Sequence, residues 1–320
     1  MTAPTMKVTR ELVRMACRAP SIHNTQPWAW RLTAADTVEL YADRGRQLDQ
    51  IDPEGRALTI SCGAALHHLV VAAEGFGLVA GTHLRPDPDN ADFLARIHLE
   101  PGETTDASVQ TMAALENRMT DRRGFTDWEV PGTRLHHLAD AATGWGAHAL
   151  PVTDPGLAVR VGTLVEEAGR EERENTDIAT EQEDWIAHSP VDGVPVSNAS
   201  PRPSGGVERS PDRFNPGASS ARTGSSDALL LLFTSADDQS AWLATGQALS
   251  AIWILAAQGG LSLTPETQVI EVARTRQQLR HSLLDDLGHP QVLVHVGWQE
   301  SSRPPQVPTP RRDLEDVLLP

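Results

Sequence analysis

Apolar positions along the chain predict helices and strands in a mixed order. Continuous or alternating apolar residues predict strands at residues 28–32, 38–42, 95–99, 228–233 and 292–296, and the first two form a hairpin-like pair. A segment over residues 9–18 and two longer stretches rich in alanine and leucine predict helices. The pattern therefore predicts a mixed α/β chain of the α+β class.

An internal repeat divides the chain into two related halves. Residues 62–78 align without gaps on residues 245–261, an offset of 183 positions. The identical positions pair Gly63 with Gly246, Ala65 with Ala248, Leu66 with Leu249, Ala73 with Ala256, Gly77 with Gly260 and Leu78 with Leu261. Both copies stop at a glycine pair, which predicts left-handed helix caps at Gly75 and Gly77 and at Gly259 and Gly260. A strand is expected after each copy, so the order of helix, cap and strand occurs twice.

The apolar pattern fails between Glu171 and Ser226. Proline, serine, glycine and charged residues dominate residues 189–226. A compact domain rarely contains an irregular segment longer than ~15 residues unless that segment is a functional lid or is disordered. From the residues alone, the interpretation of this segment as a lid and its interpretation as a mobile surface loop are about equally favoured.

Composition and charge disfavour several classes of partner. No apolar run approaches the ~18 to 20 residues of a membrane-spanning helix, and residues 1–10 lack the pattern of a secretory signal. A cytoplasmic protein without a membrane partner is therefore expected. The formal net charge of −16 opposes binding to a nucleic-acid backbone, so DNA and RNA are not expected as partners.

The sequence offers no pattern of metal ligands. Cys17 and Cys62 have no CxxC spacing, and both are expected to pack as small apolar residues. The histidine pair at residues 67–68 and the aspartate pair at residues 285–286 are adjacent, so their side chains point in different directions on a helix. We expect no metal site.

The first motif with possible chemistry spans residues 19–28, between the predicted first helix and first strand. Prolines bound this loop, and Ser21, Asn24 and Gln26 between them can donate and accept hydrogen bonds. Such a loop could hold a planar heterocycle that is rich in amide groups. The same residues could instead satisfy backbone groups of the turn, and the residues alone favour that simpler interpretation.

The second motif is Arg118-Met-Thr120-Asp-Arg122-Arg123-Gly-Phe125. Three arginines and a hydroxyl in a short stretch of an acidic chain form a candidate anion site, and guanidinium geometry suits phosphate oxygens. The alternative is a solvated basic patch paired with nearby aspartates or glutamates, in which surface ion pairs contribute only about 0 to 1 kcal/mol. We favour the interpretation of this motif as a phosphate site.

Three motifs together carry a resemblance to a known family. Residues 19–28 resemble the Ala-Pro-Ser-x-x-Asn-x-Gln-Pro-Trp signature of flavin nitroreductases, and Arg118-x-Thr120-x-Arg122 is similar to their Arg-x-Ser-x-Arg phosphate motif. The tail at residues 310–317 resembles the family's C-terminus. Each of the first two motifs occurs once and in a different half, which resembles the Acg family of nitroreductase-like actinobacterial proteins, where one chain mimics the usual dimer.

The resemblance implies a fold, a domain organisation and a cofactor. It implies the nitroreductase fold as a single-chain pseudo-dimer, with halves at residues 1–105 and 106–320 and an insert at about residues 171–226. It also implies one FMN between the halves, in a chain that acts as a monomer.

The same resemblance assigns candidate cofactor contacts. It implies that the FMN phosphate is held by Arg118, Thr120, Arg122 and Arg311, that Ser21, Asn24 and Gln26 face the flavin ring, and that the backbone of Leu263, Thr264 and Pro265 follows the ring edge. The spacing from Arg122 to Phe125 is one residue longer than in the family motif, so Arg122 and Arg123 both remain candidates.

Two functions follow from the resemblance, and a third is disfavoured. The first is an FMN-dependent oxidoreductase that passes electrons from NAD(P)H to a nitroaromatic or quinone, with no catalytic side chain because the flavin carries the chemistry. The second is FMN sequestration or storage under a lid, with little or no turnover. A scaffold that no longer binds flavin is disfavoured, because both the arginine motif and the Pro-Ser loop are intact.

Overall fold

Two four-stranded antiparallel sheets with the same strand order form the framework of the chain. The first sheet contains β1 (Trp28–Ala34), β2 (Thr37–Ala42), β3 (Leu78–Leu84) and β4 (Phe93–Pro101) in the order β1-β2-β4-β3. The second contains β5 (His148–Val152), β6 (Ala228–Thr234), β7 (Leu261–Glu266) and β8 (His289–Trp298) in the order β5-β6-β8-β7. The structure is a computed structural model, which describes residues 3–120, 125–186, 188–195, 228–299 and 308–320.

Helices surround and join the two sheets. They are α1 (Met6–Ala16), α2 (Arg56–Gly75), α3 (Asp106–Asn117), α4 (Gly132–Thr143), α5 (Pro155–Glu174), α6 (Thr176–Asp184), α7 (Gln239–Gln258), α8 (Gln268–Glu271), α9 (Ala273–Leu284) and α10 (Leu314–Val317). Local signals fix several of their starts. The Asp238 carboxylate, for example, accepts a hydrogen bond from the Ala241 N–H at 2.9 Å and caps α7. The chain is therefore of the mixed α+β class, as the apolar pattern predicts.

Helices α2 and α7 cross at the pseudo-twofold axis that relates the halves. Their bounds differ by the repeat offset, and a Cβ added to Gly63 would lie 3.1 Å from the Cα of its counterpart Gly246. One helix turn further, His67 Nδ1 lies 2.8 Å from the Oγ of its own counterpart, Ser250. Contacts between equivalent residues are the signature of an isologous interface. Two related halves in one chain are thus confirmed.

The predicted strands are confirmed, and three further strands were missed. All five predicted strands lie inside β1, β2, β4, β6 and β8. The missed strands, β3, β5 and β7, lie at sheet edges, where many of the side chains stay in contact with solvent and the apolar alternation is weak. Two of the four predicted left-handed glycine caps are confirmed, since Gly77 and Gly260 have φ of 71° and 75°. The other two are not left-handed, because Gly75 is the last residue of α2 and Gly259 has φ of −84°.

The core is continuous across the crossing helices. A cluster on the first sheet takes residues from α1 and α2 and also Leu243 and Ile254 from α7. The second sheet is covered on one face by α4 and α7, and on the other by α5, α8 and α9. A buried sheet with both faces covered favours the continuous apolar run that β6 shows.

The insert lies between β5 and β6, where the first half has only the tight turn between β1 and β2. The sequence predicted an irregular segment from Glu171 onward, which is wrong for residues 171–184, because they belong to α5 and α6. Charged residues dominate the exposed faces of these helices, so the apolar stripe of α5 is hard to recognise in the sequence. Residues 196–227, the largest part of the predicted lid, lie outside the described residues.

Two helices have the length and mean hydropathy of a membrane-spanning segment, by composition only. They are α2 and α7, and 89% and 61% of their most apolar windows are buried inside the protein. Alanine raises the mean hydropathy of both helices, although neither contains the long apolar run that the sequence analysis looked for. Both helices pack against each other in the core.

Candidate functional site

A cleft opens between the two halves, beside the crossing of α2 and α7. Its walls come from the loop after α1, from the first turns of α2, and from α7, β7 and α8 of the second half. Its empty space is about 920 Å³, part of which is open to solvent. Clefts that combine apolar walls with a few polar groups are typical of cofactor sites.

The cleft narrows toward a smaller space that is rich in polar groups. Pro20, Ser21 and Thr120 line both spaces. The smaller space, of about 340 Å³, is further lined by Asn24 and Arg311, and by residues 194–195 and 309. The structure therefore brings together parts of both predicted motifs and of the C-terminal tail.

The loop at residues 19–28 has an unusual backbone. His23, Asn24 and Gln26 have φ of 45°, 56° and 50°, in the left-handed region that residues other than glycine seldom occupy. Each such residue costs about 1 to 3 kcal/mol unless the surroundings enforce it, and such strain gathers at functional sites. The strained backbone makes this loop a candidate functional segment and not only a connection between α1 and β1.

Hydroxyl groups hold the loop against α2. Ser21 Oγ accepts a hydrogen bond from the Gln26 N–H at 3.0 Å, and Ser61 Oγ accepts one from the Ile22 N–H at 3.1 Å. Ser21 thus satisfies turn backbone, as the simpler interpretation of the motif holds, and it also lines the cleft. Its hydroxyl keeps a proton to donate toward a ligand.

A cluster of arginines lies at the narrow end of the cleft. Helix α3 ends at Arg118, whose Nη2 donates to the carbonyl oxygen of Arg18 at 3.0 Å, and Arg311 Nη2 donates to the same oxygen at 3.1 Å. Arg118 is 7% exposed, and its Nε and Nη1 have no hydrogen-bond partner among the described residues. The Nε of Arg311 is likewise buried without one. Buried donors without acceptors are rare and need a ligand, water or ion to satisfy them.

The charges of this cluster repel each other. Burial, together with the nearby charges of Arg311 and Arg18, lowers the pKa of Arg118 to about 9. Burial and the charge of Arg18 lower the pKa of Arg311 to about 10. No carboxylate forms an ion pair with Arg118 or Arg311 among the described residues. An anion bound here would relieve the repulsion.

Asn24 and Gln26 use their side-chain amides to bind other segments of the chain. The Asn24 amide donates to the carbonyl oxygens of Gly193 and Pro310 at 3.0 and 3.1 Å and accepts from Arg311. The Gln26 amide donates to Val191 O at 2.8 Å, and its oxygen accepts from the backbone N–H of residue 312 at 2.8 Å. Gln26 is fully buried and does not line the cleft. The Gln26 amide therefore holds two other segments in place, and its role in facing a flavin ring stays a prediction.

Of the predicted contacts on β7, only Pro265 lines the cleft. The Leu263 side chain is fully buried in the core of the second half, and Thr264 pairs with His295 in the sheet without lining the cleft. Strand β7 lies at the edge of its sheet, so a ligand could still contact its backbone. The backbone role of this segment stays a prediction.

The remaining predicted residues divide between the described and the undescribed parts of the chain. Thr120 and Arg311 line the smaller space. Arg118 does not line it, and its guanidinium packs against Trp253. Arg122 and Arg123 fall outside the described residues, so the choice between them stays open.

Several residues of the site were missed by sequence analysis. They include Arg18, which precedes the Pro-Ser loop, Arg56 and Ser61 on α2, Trp253 on α7, and Gln268 and Glu271 on α8. Arg18 and Trp253 had a usable signal, because one adjoins the first motif and the other lies in the repeat. The others come to the cleft only through tertiary packing.

A short segment of the insert, residues 188–195, covers the Pro-Ser loop, and we call it the strap. Asp192 forms an ion pair with Arg46 and accepts from Ser189 Oγ at 2.5 Å. The two amides of the loop bind strap carbonyls, as described above, and Val194 is 2% exposed. Arg46 and Ser189 lower the pKa of the Asp192 carboxyl by hydrogen bonds and charge, although its burial acts the other way. The strap is thereby fixed over the narrow end of the cleft.

The described residues contain no group of three or more histidine, cysteine, aspartate or glutamate side chains arranged to hold a metal ion. Burial raises the pKa of the Cys17 thiol to about 12 and also raises that of Cys62. Both thiols are free and buried. The cysteines pack as apolar residues and are not activated for chemistry.

A duplicated α+β framework, with a cleft between its halves and an arginine cluster at one end, defines a single-chain, nitroreductase-like protein. No family model matches the chain. It is 36% identical over 323 residues to a Mycobacterium tuberculosis protein named "Putative NAD(P)H nitroreductase", covering 98% of this chain and 92% of the relative. It is 28% identical over 339 residues to "Putative NAD(P)H nitroreductase acg" of the same organism, and the match covers 99% of this chain and 97% of the relative. The chain belongs to this nitroreductase-like family, which includes Acg.

The chain is also similar, at low sequence identity, to parts of solved structures. A nitroreductase with bound FMN from Bacteroides fragilis is 12% identical with a TM-score of 0.41, covering 62% of this chain and 93% of that chain. A BluB-like flavoprotein from Clostridium difficile is 11% identical with a TM-score of 0.42, covering 64% of this chain and 95% of that chain.

Proposed function

We propose that this chain binds one FMN in the cleft between its halves and acts as a flavin-dependent oxidoreductase. The observation that carries the proposal is the pair Arg118 and Arg311, whose buried N–H groups have no acceptor among the described residues. A phosphate dianion would accept those hydrogen bonds and offset the repulsion between the guanidinium groups. The smaller space beside Thr120 and Ser21 has room and hydroxyl donors for it.

The wider part of the cleft suits the ring system of the same ligand. Ile60, Leu249 and Trp253 give it apolar walls, while Ser21 and the edge strand β7 offer hydrogen-bonding groups. A planar ring that is apolar on its faces and polar at its rim matches such a lining. The residues present therefore fit FMN at both ends of the cleft.

Bound FMN would supply a group that accepts a hydride and then passes electrons to an acceptor. The protein's own residues would bind the phosphate, orient the ring and exclude water from its covered face. NAD(P)H is the proposed donor, in line with the names of the two relatives, and a nitroaromatic or a quinone is the proposed acceptor.

We further propose one site in each chain and a monomeric protein. In the first half, residues 17–27 join α1 to β1 and form one wall of the cleft, whereas residues 144–147 join α4 to β5 at the corresponding place. Trp145 of this short link packs edge-on against His67, with ring centroids 4.5 Å apart. A second cleft related by the pseudo-twofold axis would thus lack its loop.

Flavin sequestration remains the alternative function, and the strap is the observation that favours it. Val194 and Pro195 line the narrow end of the cleft, and the strap is held there by Asn24, Gln26 and Arg46. A ligand covered in this way would exchange slowly and would present less of its surface to NAD(P)H.

The test is an anaerobic titration of the FMN-reconstituted protein with NADPH and then NADH, followed by the visible flavin absorbance. Rapid bleaching supports the oxidoreductase, whereas a bound flavin that stays oxidised supports sequestration. Failure to bind FMN at all contradicts both. The bound flavin is quantified against protein concentration, with one FMN per chain expected, and size-exclusion chromatography checks the monomer.

A further inference from the structure

The guanidinium of Arg118 lies over the face of Trp253, with 4.8 Å between Cζ and the ring centroid. Both side chains are buried, with 7% and 1% of their surface exposed. Trp253 also lines the wider part of the cleft, whereas Arg118 does not. The contact joins α3, which ends at Arg118, to α7 across the edge of the cleft.

Arg118 needs such a contact because its surroundings offer little compensation for its charge. Among the described residues, its guanidinium donates one hydrogen bond, to the carbonyl oxygen of Arg18, and the charges that act on it come from Arg311 and Arg18, both positive. His68 is buried close by and is kept neutral, since burial and the charge of Arg118 hold its pKa well below the usual range. The negative face of an indole ring attracts a desolvated cation.

The internal repeat supplies a comparison within the same chain. The position equivalent to Trp253 in α2 is Val70, which has no aromatic face, and the arginine motif likewise occurs in one half only. The aromatic residue and the arginine it supports therefore occur on the same side of the pseudo-twofold axis, next to the one cleft.

We infer that Trp253 is a positioning residue that holds Arg118 at the narrow end of the cleft, ready to bind the phosphate of the ligand. This inference rests on the proposed FMN site. It assigns Trp253 to recognition of the phosphate and not of the ring, even though Trp253 lines the wider space. The affinity for a flavin with a phosphate should then depend on Trp253, and the affinity for a flavin without one should not.

The experiment compares FMN with riboflavin, which lacks the phosphate, in the wild-type protein and in Trp253→Leu and Trp253→Phe. We expect Trp253→Leu to weaken FMN binding by about ten- to thirty-fold, the equivalent of a buried cation–π contact, and to leave riboflavin affinity within about two-fold. Trp253→Phe keeps an aromatic face and should restore most of the preference for FMN. Retained riboflavin binding shows that each variant is folded.

A double-mutant cycle with Arg118→Ala isolates the pair. If Trp253 acts through Arg118, Trp253→Leu should cause little further loss of FMN affinity once Arg118 is absent. A control is Trp298→Leu, which removes a contact of the same kind, with Arg134 at 5.1 Å, but which does not line the cleft. This variant should leave the ratio of FMN to riboflavin affinity unchanged.

Two results would overturn the inference. An equal loss of FMN and riboflavin affinity in Trp253→Leu would place the ring of Trp253 against the flavin instead. Unchanged FMN affinity in that variant would show that Arg118 needs no aromatic support. Failure of the proposed function would look different, because the wild-type protein itself would then bind neither flavin, or both equally.

Discussion

Arg118 and Arg311 show how single residues define the narrow end of the cleft. Each carries a buried guanidinium nitrogen without an acceptor among the described residues, and the pKa of each is lowered mainly by burial. A positive charge that is held away from water without a carboxylate partner is destabilising in the empty protein. The same arrangement favours an anionic ligand, since binding removes that penalty.

Replacing Arg118 with alanine should weaken FMN binding by about 1.5 to 3 kcal/mol, because a charge-assisted hydrogen bond to phosphate is lost. Fluorescence titration of FMN measures the change. Arg134→Ala is the control, since Arg134 is exposed and contacts Gly259 O and Trp298. Equal FMN affinity in the Arg118→Ala and wild-type proteins would contradict the phosphate site.

His67 makes the stability of the protein sensitive to acid. Burial lowers its pKa from 6.5 to about 3, so the folded protein keeps it neutral while the unfolded chain takes up a proton. The stabilising effect is complete above pH ~6.5 and is lost as the pH falls toward 3, with a slope of up to ~1.4 kcal/mol per pH unit for this group.

A His67→Gln variant should therefore lose less stability than the wild-type protein between pH 6 and pH 4. Urea unfolding at a series of pH values measures the difference. Asp52, whose pKa burial raises to about 6, acts with the opposite sign in part of this range, but it is common to both proteins and cancels. His137→Gln controls for removal of an exposed histidine. Parallel pH profiles for His67→Gln and wild type would contradict the prediction.

At the scale of elements, the crossing of α2 and α7 requires small residues. An added Cβ on Gly63 would approach the Cα of Gly246 and the backbone oxygen of Leu243, and neither of these can move as a side chain could. The repeated glycine thus has a packing reason at the pseudo-twofold axis. The sequence showed both glycines in register, but it could not show that they face each other.

Gly63→Ala should destabilise the protein by about 1 to 3 kcal/mol, because overpacking forces the helices apart. Gly162→Ala in α5 is the matched control, since a Cβ there meets nothing within 4 Å and alanine favours a helix. Chemical unfolding should show the two substitutions acting in opposite directions. A Gly63→Ala protein as stable as the wild type would rule out the tight crossing.

For the molecule as a whole, the cleft between the halves links ligand binding to folding. Its walls come from both halves, so we expect the proposed ligand to bind only when both are folded and packed together. FMN at about 100 times its dissociation constant should raise the free energy of unfolding by ~2.7 kcal/mol. Thermal unfolding with increasing FMN measures this effect, with riboflavin as a second ligand. A melting temperature that does not change with FMN would contradict the site.

Prediction from sequence succeeded where the information is local. The strands at residues 228–233 and 292–296 and the loop at residues 19–28 were found because apolar runs and prolines act on their immediate neighbours. Prediction failed for the edge strands β3, β5 and β7 and for α6, whose apolar patterns are weak. The polar residues of the site were only partly assigned, since Ser21 lines the cleft while Gln26 does not.

The sequence by itself determined the doubled framework, the class of its secondary structure and the two motifs that meet in the cleft. These follow from the repeat, from apolar periodicity and from residue chemistry, all of which can be read from the order of the residues. Only the tertiary structure decided that Gln26 holds the strap, that Arg118 lies on Trp253 and that Arg311 returns from the C-terminus to join it. These contacts join residues far apart in sequence, and packing of the two halves selects them from many polar groups of similar chemistry.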